Sequence, residues 1–411
     1  MCETLQTICV AGKNDIAVNV LEEILSKNLP NVRLVVTCNR TEDGCNDWQR
    51  SLRYFAALYG VEEITLDEAQ ATEGLVFLSM EYDRLVKPEL FRSGRLFNIH
   101  FSKLPAYKGM YTSALPILNG ETVVGVTLHE IDAGIDTGRI IAQDTFALLE
   151  EDSSRDLYRK YIEHGSKLVI SYLDDILDGT YAARPQPCRG STYYSKAAID
   201  YSDVRLDLNR TACEIGRQVR AFTFREFQLP AVLGYDIFDY EITADRSHSR
   251  PGTLISDDAI SLRLATVDYD ILLYKDRFAD LMHYCATGDL EGVRSIHGVG
   301  CYLDQYDDHG WTPLIVATYN NKVAIVEYLL VQGADPRQRN FKGTNLLMYA
   351  KDAYINTGDD RLLKLFMEHG VSPCEQDYSG RSLLDYLSSE KYGEHVLRIV
   401  ESEFCSRSEG L

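Results

Sequence analysis

No stretch of this 411-residue chain approaches the ~18 consecutive apolar residues of a membrane-spanning helix. The opening residues, MCETLQTICVAG, lack the basic start and long apolar run of a secretory signal, so none is expected. The ten cysteines, scattered from Cys2 to Cys405, include no Cys-x-x-Cys pair. Together with the missing signal this predicts reduced thiols, no metal site and a cytoplasmic location. Positive charge is also scarce. Forty-two Lys and Arg stand against 62 Asp and Glu, and a net charge of −20 argues against wrapping DNA, RNA or an anionic membrane. Gly12 follows the first apolar run without a G-x-G-x-x-G, which makes a dinucleotide site unexpected.

What is present is a 45% apolar composition and a length that calls for two or three domains. Short apolar runs at 7–11 (TICVA), 32–37 (VRLVVT) and 75–78 (LVFL) alternate with helical patterns, the first at 16–25. Further runs stand at 97–101 and 123–129. Continuous apolar strands between helices predict an α/β domain. Its sheet should be parallel, covered on both faces, with an active site at the carboxyl ends of the strands. A helix is expected over 154–177, capped by Asp152 or Ser153 and stopped by Gly179. Arg184-Pro185-Gln186-Pro187 reads as a linker. Strand-like runs at 235–243 and 261–266 predict a small antiparallel, barrel-like unit over 190–275.

The last third repeats. Gly310, Gly343 and Gly380 each open a turn and helix (HGWTPL, KGTNLL, SGRSLL), and Gly300, Gly333 and Gly370 each stand ten residues before one of them. A 33-residue interval with Thr-Pro-Leu resembles the ankyrin repeat. The second interval is 37 residues, with the extra residues expected in the turn at 356–360, and 278–299 and 377–403 expected as caps. The division predicted is a catalytic domain over 1–184, a small mostly β unit over 185–277 and helical repeats over 278–411.

Two segments carry the chemistry. FNIHFSKLPAYKG, at 97–109, holds Asn98 and His100 two residues apart, and in a strand such residues point to the same face. GVTLHEIDAGIDTG, at 125–138, holds Asp136 in a Gly-flanked loop free to turn back toward that strand. An amide donor, a base and a carboxylate are the parts that pass an acyl group to an amine. His100 is the expected base, since an imidazole titrates near neutral pH. Direct transfer is expected, neither segment being read as presenting a nucleophilic Ser or Cys.

This ordered pair of segments resembles the folate-dependent formyltransferase family, whose invariant trio falls on Asn98, His100 and Asp136. The resemblance implies a Rossmann-like catalytic domain and transfer of a formyl group from 10-formyltetrahydrofolate to an amine. Asn98 would hydrogen-bond the developing oxyanion. Asp136 would either fix the tautomer and charge of His100 or hold a water that relays the proton. The folate would lie against Met80, Tyr82 and Val86 before the trio and Ile131 and Asp132 beside it. Lys103 stands where the family often has Leu, and Lys108 in its Tyr-Arg-Gly turn; both suit an anionic substrate.

The segments beyond residue 184 narrow the acceptor amine. A tRNA acceptor needs a basic second domain, whereas residues 185–280 hold 12 Lys and Arg against 15 Asp and Glu, so no nucleic-acid partner is expected. RAFTFREFQLP, at 220–230, offers rings to stack a pyrimidine and cations to hold a pyrophosphate, chiefly Arg220, Phe222 and Phe224. The whole chain resembles the nucleotide-sugar N-formyltransferases that carry C-terminal ankyrin repeats and act on dTDP-3-amino-3,6-dideoxyglucose for lipopolysaccharide O-antigen synthesis. That resemblance implies a homodimer. Lys103, Arg220, Phe222 and Phe224 are expected at the dTDP-amino sugar, and the sequence itself leaves open whether the amine is on C3 or C4. A formyltetrahydrofolate hydrolase, or an ankyrin-based binding protein with a vestigial enzyme domain, is the alternative. The repeats would ordinarily bind a protein partner. Trp311 in one turn and Arg337, Arg339 and Lys342 in the next also offer a ring and cations for a second dTDP-sugar.

Overall fold

The apolar runs near the start of the chain become neighbours in one sheet in the computed structural model, which describes residues 6–202, 204–388 and 394–400. The expected cap over 377–403 lies partly outside the described residues. Strands β1 (Gln6–Gly12), β2 (Val32–Cys38), β3 (Glu62–Glu63), β4 (Val76–Met80) and β5 (Arg95–His100) run parallel. A two-residue strand, β6 (Lys108–Gly109), lies outside the sheet, and β7 (Val123–Glu130) and β8 (Ile140–Ala147) complete it in the order β3-β2-β1-β4-β5-β7-β8. Every residue of β4 is buried, as in a strand covered on both faces. The helix Ser154–Asp178 packs against Asn14–Ser26 and β7. Its ends follow the residues: Ser153 and Asp156 form a reciprocal capping box, and Gly179 closes it at φ 70°.

The sheet is mixed rather than wholly parallel. β7 runs antiparallel to β5, and β8 antiparallel to β7. Parallel neighbours are usually joined by a crossover helix; the link at 101–122 holds β6 and the one-turn helix Leu115–Leu118 and no longer helix. β8 carries no continuous apolar run; Ile140 and Ala142 are buried while their neighbours are not, the alternation of a one-sided strand.

After β9 (Tyr193–Tyr194), which pairs with β6, come β10 (Ala231–Val232), β11 (Tyr235–Ile242), β12 (Leu254–Asp257), β13 (Ser261–Leu264) and β14 (Ile271–Lys275). These form an antiparallel sheet in the order β10-β11-β14-β13-β12, with β10 and β12 as its edges among the described residues, so it is open rather than a closed barrel. The helix Ala212–Phe222 lays Ile215 and Val219 on it beside Ile237, Leu262 and Leu273. Arg220 and Phe222 therefore sit at a helix end, not on a strand. Both sheets belong to one compact unit, Met1–Lys275.

The second unit, Asp276–Leu411, is helical among its described residues. Pro313–Tyr319 pairs with Val323–Val331, and Leu346–Thr357 with Arg361–Glu368. The longer repeat interval does not enlarge the turn at 356–360. It lengthens the helix Leu346–Thr357 to 12 residues, against 7 in Pro313–Tyr319, before Gly358 ends it at φ 75°. Gly310 shows why these turns need glycine. Its φ is 77°, and a Cβ there would lie 2.5 Å from the Phe341 ring of the following repeat. Among the described residues no helix is long and apolar enough to cross a membrane.

Arg155 of the long helix pairs with Glu226 at 2.7 Å, with side chains only 4% and 10% exposed. Breaking a buried pair from one side costs roughly 3–5 kcal/mol. Glu226→Ala should lower stability by that order in urea unfolding followed by circular dichroism. A midpoint unchanged from wild type would show that the pair does not hold the smaller sheet's segment to the helix.

Candidate active site

Asn98 and His100 leave β5 on one face, and the antiparallel register sets Asn98 opposite His129 and His100 opposite Thr127. His129 Nδ1–H donates to the Glu130 carbonyl at 2.7 Å, which leaves Nε2 to accept from Asn98 Nδ2 at 3.1 Å. His100 Nε2–H donates to the Tyr107 carbonyl at 2.8 Å. That bond turns Nδ1 toward Asp136, whose Oδ2 lies 3.5 Å away, while Asp136 Oδ1 is 3.7 Å from His129 Nε2. One carboxylate, two imidazoles and an amide meet in a single place.

Getting Asp136 there requires a loop that folds back. Because β7 is antiparallel, the segment after it departs beside the beginning of β5, where Ile131 N–H bonds the Leu96 carbonyl at 2.8 Å. Asp132 Oδ1 then accepts from Gly134 N–H at 3.0 Å and from Thr137 Oγ1 at 2.6 Å, tightening the turn. Asp136 takes a left-handed backbone, φ 53°, which Asp tolerates better than most residues. Its Oδ2 accepts from Gly109 N–H at 2.9 Å. Gly138 must be glycine, since a Cβ would collide with the Glu130 carbonyl. On the other side, Thr127 Oγ1 donates to the Ser102 carbonyl at 2.7 Å and accepts from Leu104 N–H at 3.1 Å. Gln143 Nε2 donates to the Leu104 carbonyl at 2.8 Å. These bonds pin the segment that carries Tyr107, and with it the ring of His100.

His129 carries no role in the sequence pattern, although it lies in the Gly-Val-Thr-Leu-His run. Nothing in that run reveals that it faces Asn98; the antiparallel register does. Burial lowers its pKa to about 4, against the opposing pull of Asp136, so the ring is neutral near pH 7 and works as an acceptor.

The formyl transferase family matches residues 60–173, and ankyrin repeats (three copies) match 281–377. An N-formyltransferase from Helicobacter canadensis, solved with folinic acid and dTDP-3-aminofucose, is 38% identical; the match covers 67% of this chain and 100% of that one, with a TM-score of 0.61. This chain belongs to the N-formyltransferase family. WlaRD, a sugar 3N-formyltransferase solved in the presence of dTDP and 5-N-formyl-THF, is 37% identical over 66% of this chain and 98% of that one, with a TM-score of 0.62. The methionyl-tRNA formyltransferase of Burkholderia pseudomallei (strain 1106a) is 35% identical over 171 residues, 41% of this chain and 52% of that protein. The chain thus spans about half the length of the curated relatives it matches.

The remaining predicted residues of this N-formyltransferase fall into three groups. Tyr82, Val86 and Ile131 share one cluster with Phe77 and Leu96, and Met80 is buried at the end of β4. Within that cluster the Tyr82 hydroxyl is buried without a partner, and burial pushes its pKa up to about 12. Asp132 is exposed and spends its carboxylate on its own turn.

The nucleotide set is not brought to one face. Arg220 Nη1 donates to the carbonyls of Leu149 and Asp152 at 3.1 and 2.9 Å. Phe222 packs on the small sheet, its ring 6.3 Å from Tyr201. Phe224, beyond the helix end, is 5% exposed among Trp48, Tyr158 and Phe227, with ring distances of 5.4, 5.7 and 4.7 Å. The Phe224 ring fills a core, whereas Phe222 is partly buried and packs against the small sheet. Lys103 is exposed on the loop after β5. A cavity of about 440 Å³ opens beside the Asp136 loop, lined by Lys108, Thr137, Arg139 and the linker from Pro185 to Cys188. On the repeats, the Trp311 ring lies 5.1 Å from Tyr319 and 5.5 Å from Tyr349. Arg337 and Lys342 are exposed, but Arg339 is tied to the next repeat, pairing with Glu375 at 2.7 Å and bonding the Gln376 carbonyl at 2.7 Å. Among the described residues no group of His, Cys, Asp or Glu is arranged to hold a metal ion.

The buried neutral His129 makes a pH prediction. An unfolded imidazole takes a proton near pH 6.5, whereas the folded ring takes one only near pH 4. Stability from this group is complete above pH 6.5 and is lost as pH falls toward 4, where only the unfolded chain gains the proton. The thermal midpoint of His129→Asn should therefore fall less between pH 7 and pH 5 than that of wild type. Parallel pH dependences would contradict the buried neutral ring.

Proposed function

We propose that this N-formyltransferase moves a formyl group from 10-formyltetrahydrofolate to the amine of a dTDP-linked 3-amino deoxysugar, with dTDP-3-amino-3,6-dideoxyglucose as the acceptor. The carrying observation is the meeting of Asn98, His100 Nδ1 and Asp136 in one place. The relatives solved with dTDP or a dTDP-amino sugar and a formylated folate are matched along 98% and 100% of their length. The tRNA-formylating relative is matched over 52%, and the acidic balance of 185–280 does not suit a nucleic acid. The two sugar relatives also name a 3-amino or 3N position, which favours C3. A cytoplasmic homodimer supplying lipopolysaccharide O-antigen sugar completes the reading.

Each residue of the trio has one task. His100 Nε2–H is committed to Tyr107, so Nδ1 is the atom that accepts the proton of the attacking amine. The positive ring that results is stabilised by Asp136 at 3.5 Å, which favours charge stabilisation over a water relay for this carboxylate. One N–H of Asn98 is held by His129, leaving the other to bond the formyl oxygen as it becomes negative, a role typically worth ~2.7–4 kcal/mol. Tyr82, Val86 and Ile131 form the apolar wall for the folate's ring system. Lys108 and Arg139, at the adjoining cavity, suit an anionic group of either substrate.

His100→Asn and Asp136→Ala should each lower kcat by ~10²–10⁴, the usual range for a positioned acid–base group. Steady-state rates with dTDP-3-amino-3,6-dideoxyglucose check this, and a His100 variant with near-normal kcat would overturn the proton route. Release of formate at the same rate with and without the sugar would favour the hydrolase alternative.

For the repeats we propose a second dTDP-sugar site at Trp311, with Arg337 and Lys342 as its cations and without Arg339. The half-buried Trp311 lies beside Tyr319, itself 42% exposed, so an aromatic face is open there. Calorimetry of the full chain with dTDP should give two equivalents for wild type and one for Trp311→Ala. One equivalent for both would leave the repeats to a protein partner.

A further inference from the structure

The linker between the two sheets of the first unit is zipped to the start of β8. Ile140 N–H bonds the Arg184 carbonyl at 2.8 Å, and Arg184 N–H bonds the Ile140 carbonyl at 2.9 Å. Pro185 and Pro187 then flank Gln186, each with its φ fixed by the ring. From this stiff segment Gln186 Nε2 donates to two carbonyls of the active-site loop, those of Asp136 and Gly138, both at 2.8 Å. The amide can sit only this way round, because the reverse would set Oε1 against two carbonyl oxygens. Oε1 is buried without a partner, an unfavourable arrangement on its own. The side chain is thus placed for the two bonds its nitrogen makes.

We infer that Gln186 is a positioning residue for Asp136, holding the left-handed loop so that its carboxylate faces His100. The inference rests on the proposed reaction for its consequence. Asp132 ties the loop only through Gly134 and Thr137, and the Asp136 side chain is tied through Gly109. The carbonyls on both sides of Thr137 are fixed by Gln186, and with them the backbone of a non-glycine residue at φ 53°. A loop released there keeps its fold but aims the carboxylate less well. The effect falls on the charge that His100 gains during reaction, not on substrate binding.

Gln186→Met keeps length and bulk while removing both donors. It should lower kcat about tenfold or more, with KM for sugar and folate each within about threefold and the thermal midpoint close to wild type. In an Asp136→Asn background the same change should cost less than about twofold further, because it acts through a carboxylate already gone. Gln186→Asn, too short to reach both carbonyls, should behave as Gln186→Met does and serves if that variant does not fold. Wild-type kcat in either variant, or a loss that multiplies fully with Asp136→Asn, would overturn the inference. If the wild-type enzyme formylates no dTDP-amino sugar, the proposed reaction fails while the clamp is still read by ¹⁵N resonances of His100. Those should move in Gln186→Met as they do in Asp136→Asn; unmoved resonances would overturn it.

Discussion

Asn98 and His129 face each other because β7 enters the sheet antiparallel to β5, beside strands that are otherwise parallel. Much of the site depends on that pairing. It gives the Asn98 amide an acceptor, and so fixes which way its remaining N–H points. It also sends the chain out beside the start of β5, so that the loop must double back to deliver Asp136. A parallel β7 would place His129 and the Asp136 loop elsewhere, and Asn98 and His100 would lack their carboxylate. The site keeps to the carboxyl end of the parallel strand β5, where His100 is the last residue. Here one loop reaches the end of β5 from the opposite direction.

Polar groups of the site are held by neighbours that do no chemistry. The Tyr107 carbonyl accepts from Nε2–H of His100, and Thr127 and Gln143 hold the segment on which Tyr107 sits. Glu130 fixes the tautomer of His129 through its carbonyl. These bonds leave Nδ1 of His100 facing Asp136 and one N–H of Asn98 outside the bond to His129.

Much of this is legible in the residues. The trio stands in two short segments, the long helix announces its cap at Ser153 and its stop at Gly179, and the glycine ladder marks the repeats. The failures have definite causes. Strand direction is not written in an apolar run, so the antiparallel β7 and the role of His129 are out of reach. The strand β8 alternates instead of running apolar. In RAFTFREF, aromatic residues at 222 and 224 read equally well as a stacking face or as packing; the helix end separates them, with Phe224 buried and Phe222 partly buried against the small sheet. The four extra residues of the longer repeat extend a helix because Tyr354, Ile355 and Asn356 continue it without a breaker until Gly358. Arg339 looks free in the sequence, but its partner Glu375 lies in the next repeat.

In the proposed reaction the proton-accepting His100, the amide of Asn98 and the carboxylate of Asp136 serve formyl transfer to a nucleotide-linked amino sugar. Mass spectrometry of a panel of dTDP-amino sugars incubated with the enzyme and 10-formyltetrahydrofolate tests it most directly. dTDP-3-amino-3,6-dideoxyglucose should gain one formyl group on its amine, and the gain should be lost with His100→Asn. Release of formate with every sugar left unmodified would contradict it.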